Sequence, residues 1–327
     1  MQGFSNVQPR NQSIDLIKIM AMCLVICLHT THQYLTSGIN DIIFVLYNTS
    51  AIAIPLFFMV SGFLLIGRNS ASYRYSFIKI FKTLKFVLLM VVIWWICQSL
   101  HNGWSIEILI YNFFGAFIQH GSFWMYWYFG AMMIIYLLYP LINKLYLDKK
   151  YYLITLLLIS CIQNIAFIWN VTGVGESMII QTFRIWNWIF YFMIGGLLKT
   201  IGIEKRIANC IILVSFIANI VVIDWLSPYM ATSFCEYFYS SPVLILLAVF
   251  CFLACKDLSI HNNIIIANLS KLFLPVYTLH PFVIRVGEHF PEICFNGIAF
   301  WIYVTLATLA LSFILMKIPF VNRLFDI

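Results

Sequence analysis

Charged side chains are scarce in this sequence. Only 9% of its 327 residues are Asp, Glu, Lys or Arg, and 63% are hydrophobic, whereas a soluble domain typically has about 25% charged residues. The longest polar stretch, near residues 67–78, is too short to fold alone. The composition therefore excludes a sizeable soluble domain. It predicts one polytopic membrane domain over residues 1–327, built as an all-α helix bundle.

The sequence also lacks the Cys-x-x-Cys spacing typical of metal sites and the G-x-S-x-G elbow typical of serine hydrolases. The nine cysteines include no Cys-x-x-Cys pair, so we expect no metal site. Seven of them lie in apolar runs, where a thiol acts as a small hydrophobe; Cys235 and Cys294 fall in predicted loops, and their pairing is open. No G-x-S-x-G elbow is present, which favours packing over catalysis for Ser61.

Eleven apolar segments follow one another along the chain. They lie near residues 14–35, 42–66, 80–100, 106–119, 124–142, 151–170, 181–198, 207–226, 241–255, 272–290 and 297–316. The fourth is short and interrupted by Asn112 and Gly115, so we expect it not to cross the membrane. The first has no small-residue cleavage site, which predicts a retained span and not a cleaved signal peptide.

The basic residues predict the topology. With a cytoplasmic N-terminus and a fourth segment that does not cross, 16 of the 19 Lys and Arg residues lie at the inner face. The other three, Lys18, Arg184 and Arg285, lie within spans or at their ends. A crossing fourth segment would destroy this pattern. We therefore predict ten crossings with both termini cytoplasmic. The net charge of +7 follows from this topology and indicates no nucleic-acid partner.

The first span carries ionisable groups on one stripe. Lys18 and His29 are eleven residues apart, which places them roughly 20° apart around a helix and about 16 Å apart along it. Asp15 lies near the same stripe. Lys18 pairing with Asp15 at the inner interface is one interpretation, and a packing role for His29 is another. Ionisable groups inside a span nevertheless indicate a functional site, and imidazole is suited to general-base catalysis.

A basic stripe follows the second span. Lys79, Lys82 and Lys85 are spaced by three residues, shortly after Arg68. Such a stripe at the cytoplasmic surface is typical of anchoring near anionic lipid, and it also suits a phosphorylated ligand. Both interpretations stay open from the residues alone.

Polar and aromatic side chains also occupy the predicted outer halves of later spans. Trp127 and Tyr128 fit either an aromatic belt or the wall of a pocket. Arg184 lies in the outer part of a span. His280 lies mid-span beside Pro281, and a buried His in a Pro-broken helix predicts a polar cavity.

Six blocks occur in a recognisable order. They are Lys18 and His29 with ten residues between them, PLFFMVSGFLL, Lys82-x-x-Lys85, WYFGAMMIIYLLYPLI, YFMIGGLL and VYTLHPFVI. Over about residues 13–317 the chain resembles the acyltransferase-3 family of integral membrane O-acyltransferases. It is similar to stand-alone members that O-acetylate bacterial surface polysaccharides, such as enterobacterial common antigen. The chain departs from the family in having Lys, not Arg, at positions 18, 82 and 85. This difference matters because Lys keeps the positive charge but lacks the bidentate fork of Arg.

The resemblance implies acetyl transfer from cytoplasmic acetyl-CoA to a hydroxyl of a bacterial glycan or its lipid-linked precursor. It implies a multi-pass protein of the bacterial inner membrane with no tightly bound cofactor. His29 is the expected general base, with an acyl-His intermediate as a variant, and Asp15 and Lys18 act on the donor side. The expected donor-phosphate residues are Arg68, Lys79, Lys82 and Lys85. The expected acceptor or acyl residues are Trp127, Tyr128, Arg184, Tyr277 and His280.

Two rival functions stay open. A transporter or flippase for a lipid-linked or acidic solute would place His29, Arg184 and His280 along its path. Such proteins often show inverted repeats, and the sequence shows none. An inactive structural subunit of a polysaccharide export complex is the third alternative.

Overall fold

A computed structural model describes residues 11–35, 41–172, 178–226, 238–260, 263–290, 292 and 296–325, and these residues form helices and no strands. The helices are α1 Gln12–Thr31, α2 Ile42–Ser50, α3 Ala53–Leu65, α4 Tyr73–Asn102, α5 Ile106–Phe117, α6 Trp127–Leu147, α7 Lys149–Val171, α8 Ile185–Leu197, α9 Lys205–Leu226, α10 Pro242–Lys256, α11 Ile264–Lys271, α12 Phe273–Gly287, α13 Gly297–Met316 and α14 Pro319–Leu324. The all-α prediction is confirmed for this part of the chain.

Several helices are long and apolar enough to cross a bilayer. Over the described ranges, seven helical stretches meet this condition, and α8 and α10 are shorter apolar helices. Each of the eleven predicted segments contains at least one helix, with α1 in the first and α13 in the last. The protein is therefore a multi-pass membrane protein. Ten crossings and cytoplasmic termini remain predictions.

The fourth segment forms a short helix that turns back. α5 has 12 residues, or about 18 Å of rise, against a hydrocarbon core about 30 Å thick. The Asn112 Oδ1 atom accepts the Ser122 backbone N–H at 2.7 Å, and Gly115 packs closely against the His120 backbone. The two residues that interrupt the apolar run therefore build the turn after α5.

Two glycines let α3 and α8 pack backbone to backbone. A Cβ atom on Gly62 would lie 1.8 Å from the Phe192 carbonyl oxygen, and one on Gly195 would lie 2.0 Å from that of Met59. Only glycine permits this approach, as at small-residue helix contacts in membranes. The glycines of the second-span and YFMIGGLL blocks therefore hold the centre of the bundle together.

Loops assigned to the inner face by their basic residues meet at one end of the bundle. There the Ser13 hydroxyl donates to the Leu258 carbonyl at 2.5 Å, and the Gly67 N–H donates to Asn143 Oδ1 at 2.6 Å. Because Lys18 lies toward this end of α1, we call it the Lys18 end.

Loops assigned to the outer face meet at the opposite end, which we call the His29 end. The Gln181 N–H donates to Gln119 Oε1 at 2.6 Å, and the Arg285 guanidinium donates to the Ser122 carbonyl at 2.6 Å. The bundle thus groups the loops as the charge pattern does, with α1 running between the two ends.

Candidate functional site

The first turn of α1 holds an ion pair. Asn11 Oδ1 caps the helix by accepting the backbone N–H groups of Ser13 and Ile14. Asp15 is buried, and its Oδ1 atom lies 3.2 Å from Lys18 Nζ. A carboxylate in the first turn is favoured by the helix dipole. The predicted i, i+3 pairing is therefore present, and Lys18 keeps part of its side chain exposed.

This ion pair lines a large cavity at the Lys18 end, which we call the inner cavity. Its volume is about 1220 Å³. Three cations and one carboxylate line it, so its formal charge is positive. The lining residues are Asn11, Ile14, Asp15, Lys18, Phe63, Leu64, Gly67, Arg68, Asn69, Ser70 and Lys199.

At the other end of the same helix, two histidines from distant helices stack. The ring centroids of His29 and His280 are 5.4 Å apart, with their planes at 17°. The Trp124 ring meets His29 edge-on, also at 5.4 Å between centroids. His280 is fully buried, whereas His29 is partly buried. The imidazole of His29 is therefore the more accessible of the two.

The sequence around His280 explains its orientation. Pro281 lies inside α12 and has no backbone N–H to donate to the Tyr277 carbonyl. The His280 Nδ1 atom lies 3.3 Å from the Val276 carbonyl oxygen, a contact that requires a proton on Nδ1. The His280 Nε2 atom is buried and has no hydrogen-bond partner among the described residues. When the ring carries only this proton, Nε2 offers a buried hydrogen-bond acceptor.

Two tyrosines lock α12 onto the segment that carries Trp124. The Tyr277 hydroxyl donates to the Met125 carbonyl at 2.6 Å, and the Tyr126 hydroxyl donates to the Thr278 carbonyl at 2.9 Å. Buried hydroxyls need such partners. The relative positions of His280 and Trp124 are therefore fixed by reciprocal hydrogen bonds.

A second cavity opens beside His29, which we call the outer cavity. Its volume is about 300 Å³. Aromatic rings and a few polar groups form its wall. The lining residues are Leu28, His29, His32, Tyr47, Ile54, Gln119, Trp124, Met125, Trp127 and Tyr239.

Residues 11–317 match a family profile described as an acyltransferase domain. The chain belongs to the acyltransferase-3 family. The resemblance predicted from the six ordered blocks is thereby confirmed, and membership supports acyltransferase activity. The profile covers both cavities of this acyltransferase.

One curated relative gives a partial match. The chain is 30% identical over 131 residues to an amino-acid racemase of Enterococcus faecalis, a match covering 38% of this chain and 18% of that protein. Because the match spans under a fifth of the racemase, it carries no inference about this acyltransferase's reaction. No solved structure matches the chain significantly.

The acyltransferase brings some of the predicted acceptor residues together. Trp127 lines the outer cavity, and its ring packs against Trp188 with centroids 5.1 Å apart. Tyr128 and Tyr277 are buried with ring centroids 5.7 Å apart, behind the cavity wall. Arg184 is 2% exposed; its Nε atom donates to the Ile179 carbonyl at 2.8 Å. These three side chains are not among the described residues that line the outer cavity.

The predicted donor residues separate into two groups. Arg68 lines the inner cavity. Lys82 and Lys85 are exposed on α4, and the Lys79 ammonium lies 5.8 Å from the centre of the Tyr75 ring on the same helix. None of the three lysines is among the residues lining the inner cavity. Their role in donor binding stays a prediction.

Sequence reasoning missed polar residues at both cavities. Gln119 lines the outer cavity, and Lys199 lines the inner one. Trp124, one of the aromatic residues that the sequence placed in an aromatic belt or a pocket wall, lines the outer cavity. Burial lowers the pKa of Lys199, and the nearby Arg68 guanidinium lowers it further. The only sequence signal for Lys199 is its place directly after the YFMIGGLL block.

Metal and disulfide chemistry have little support in the described ranges. There, no group of three or more His, Cys, Asp or Glu residues is placed to hold a metal ion. The seven cysteines within those ranges are free thiols. Cys235 and Cys294, whose pairing the sequence left open, lie outside the described residues.

Proposed function

We propose that this acyltransferase is an O-acetyltransferase of a bacterial inner membrane, moving acetyl from acetyl-CoA to a glycan hydroxyl. The observation that carries the proposal is the arrangement along α1. A positively charged cavity opens at the Lys18 end, and an aromatic cavity with a stacked histidine pair opens at the His29 end.

The inner cavity suits a donor with a phosphorylated end. Lys18, Arg68 and Lys199 supply the positive charge there, and cationic side chains attract phosphate groups. Lys18 and His29 are separated by about 16 Å of helix rise. A long, thin donor entering from the inner cavity suits this separation, with its phosphates at one end and its thioester toward His29.

The outer cavity suits a sugar hydroxyl as acceptor. Trp124 and Trp127 supply flat apolar surfaces, and Gln119 supplies an amide. Pockets of this kind combine apolar walls with a few polar groups that orient the ligand. A glycan, free or lipid-linked, matches that chemistry at the face where surface polysaccharides are modified.

His29 would act as the general base. It takes the proton of the acceptor hydroxyl as that oxygen attacks the thioester carbonyl. A C–O bond forms, the C–S bond breaks, and the proton passes to the departing thiolate, giving the acetyl ester and CoA-SH. The partly exposed ring of His29 at the cavity wall fits this role.

His280 would position the reacting groups. Its stack on His29 limits how the His29 ring can turn. Its Nε2 lone pair, unpartnered within the described part of the chain, would accept a hydrogen bond from a second hydroxyl of the sugar, since the attacking hydroxyl gives its one proton to His29. A buried polar atom gains most from such a partner.

The test is a transfer assay. Inverted membrane vesicles that contain the protein are loaded with crude bacterial glycan and receive, from outside, acetyl-CoA labelled in the acetyl group. Label in the glycan, absent when vesicles without the protein are used, supports the proposal. Movement of the glycan across the vesicle membrane without ester formation would overturn it in favour of the transporter alternative.

A further inference from the structure

The three cations of the inner cavity differ in their ion pairing with the described carboxylates. Lys18 is paired with Asp15, whereas neither Arg68 nor Lys199 forms an ion pair with a carboxylate of the described residues. Both line the same cavity. Within the described part of the chain, no carboxylate pairs with these two neighbouring positive charges.

The backbone around Arg68 is held rigidly. The Tyr139 hydroxyl donates to the Leu65 carbonyl at 2.8 Å, and Lys199 Nζ donates to the Ile66 carbonyl. Gly67 has φ +80°, in the region that favours glycine. The turn after α3 is therefore fixed from two neighbouring segments, and Arg68 leaves it at the cavity wall.

Both cations keep unused hydrogen-bond donors. An ammonium group has three donors and a guanidinium group has five; one Lys199 donor is used on Ile66. The side chains of Asn69 and Ser70 line the same cavity and supply neutral donors. The cavity therefore concentrates donors and positive charge, and the one carboxylate among its described lining residues, Asp15, is paired with Lys18.

The proximity of Arg68 disfavours the charged form of Lys199. Its pKa is lowered by burial and by that guanidinium. An anion bound between the two groups would oppose this lowering, because an opposite charge within a few ångströms favours the charged form. Lys199 is thus poised to hold its proton more tightly when an anion is present.

We propose that Arg68 and Lys199 form a phosphate-binding site at the C-terminal end of α3. The identification of its ligand as the phosphorylated end of a soluble acyl donor rests on the proposed function. The other source of the same chemistry is the head group of an anionic phospholipid. The site excludes Lys79, Lys82 and Lys85, which do not line the cavity.

The test uses the full chain in nanodiscs of phosphatidylcholine. Binding of desulfo-coenzyme A, which cannot carry an acyl group, and of inorganic pyrophosphate is measured calorimetrically. We expect Lys199→Met and Arg68→Met each to lower the affinity for both ligands about tenfold, because each variant loses one charge-assisted contact. Lys199→Arg should bind within about threefold of the wild type, since it restores the charge. Lys150→Met, which removes an exposed lysine at the start of α7, is the matched control.

A pH titration separates ligand binding from a structural role of Lys199 at the end of α3. Desulfo-coenzyme A keeps a constant phosphate charge above about pH 8. Because the ligand binds only charged Lys199, its affinity for the wild type should fall as pH rises through the lowered pKa. Lys199→Arg should show a flat profile, because Arg stays charged. Equal pH profiles for the two proteins would overturn the site.

Three further outcomes distinguish the phosphate site from the proposed donor and from a lipid head-group site. If the wild type binds desulfo-coenzyme A and both Met variants bind it with the same affinity, the phosphate site is overturned, whereas acetyl-CoA stays the proposed donor. If pyrophosphate binds in a way that depends on Lys199 but desulfo-coenzyme A does not bind, the phosphate site is supported and the proposal of acetyl-CoA as the donor is overturned. If only phosphatidylglycerol in the nanodisc raises the melting temperature, through Lys199, the site holds a lipid head group. Monodisperse elution of every variant establishes folding.

Discussion

The imidazole rings of His29 and His280 stack at 5.4 Å between centroids and 17° between planes. The two residues come from α1 and α12, near opposite ends of the sequence. Hydrogen bonds from Tyr126 and Tyr277 fix α12 beside the segment that carries Trp124. The stack is therefore a product of helix packing, and it places a buried imidazole of fixed position behind a more accessible one.

His29→Ala should lower acetyl transfer by at least about 100-fold, because general-base catalysis contributes about 10²–10⁴ in rate. Protein level and melting temperature should change little, since His29 is only partly buried. Initial rates with labelled acetyl-CoA measure the effect. His289→Ala, an exposed histidine after α12, is the control and should keep wild-type activity. Wild-type rates in His29→Ala would exclude His29 as the base.

Two substitutions of His280 separate packing from polarity. His280→Phe keeps a flat ring against His29 but removes both ring nitrogens, and His280→Ala removes the ring as well. If Nε2 orients the acceptor, both variants should lower kcat about tenfold, the effect of losing one hydrogen bond of about 1.5 kcal/mol. The KM for acetyl-CoA should stay unchanged. Full activity in His280→Phe would reduce His280 to a packing residue.

Helical periodicity explains what the sequence could predict. Asp15, Lys18 and His29 lie on one helix, so a spacing of eleven residues was enough to place them on one stripe. The break at Asn112 and Gly115 likewise predicted a short fourth helix, because polar and small residues interrupt an apolar run locally. Both inferences needed only neighbours within one helix.

Contacts between distant helices could not be predicted in the same way. The pairing of His280 with His29 depends on how α12 packs, and Lys199 reaches the inner cavity from the chain after α8. Aromatic residues in adjacent positions, Trp127 and Tyr128, face different surroundings because a helix turns about 100° per residue. Which of them meets a cavity is decided by tertiary packing.

Gly62→Ala should destabilise the protein strongly. The new Cβ would lie 1.8 Å from the Phe192 carbonyl oxygen, and backbone atoms cannot move aside as a side chain can. Overpacking of this kind costs about 1–3 kcal/mol or more. Melting in detergent, followed by loss of monodisperse protein, measures the effect. Gly202→Ala is the control because nothing lies within 4 Å of its added Cβ; equal melting temperatures would contradict the close α3–α8 contact.

The exposed lysines and Arg68 should respond differently to salt. Lys82→Glu with Lys85→Glu should raise the KM for acetyl-CoA at low ionic strength, because these exposed residues attract an anionic donor from a distance. The effect should largely vanish near 0.5 M salt, where screening acts within about 5 Å. Arg68→Met should raise the KM at both ionic strengths, since Arg68 lines the inner cavity. A salt-independent effect of the double variant would instead indicate direct contact with the donor.

Gln119 should orient the acceptor. Its φ of +58° is uncommon for a residue other than glycine, and its Oε1 atom accepts the Gln181 N–H at 2.6 Å. That contact assigns the amide oxygen, because a backbone N–H needs an acceptor, and it leaves the side-chain NH₂ group for the outer cavity that Gln119 lines.

Gln119→Glu tests this arrangement with almost no change in shape. The carboxylate still accepts the Gln181 N–H, but it has no proton to donate to a sugar oxygen. We expect the KM for the glycan acceptor to rise about tenfold, while the KM for acetyl-CoA stays constant. Gln33→Glu, at an exposed position near the His29 end, adds the same charge and should leave both constants unchanged. An equal rise in both variants would trace the effect to charge and not to the lost donor.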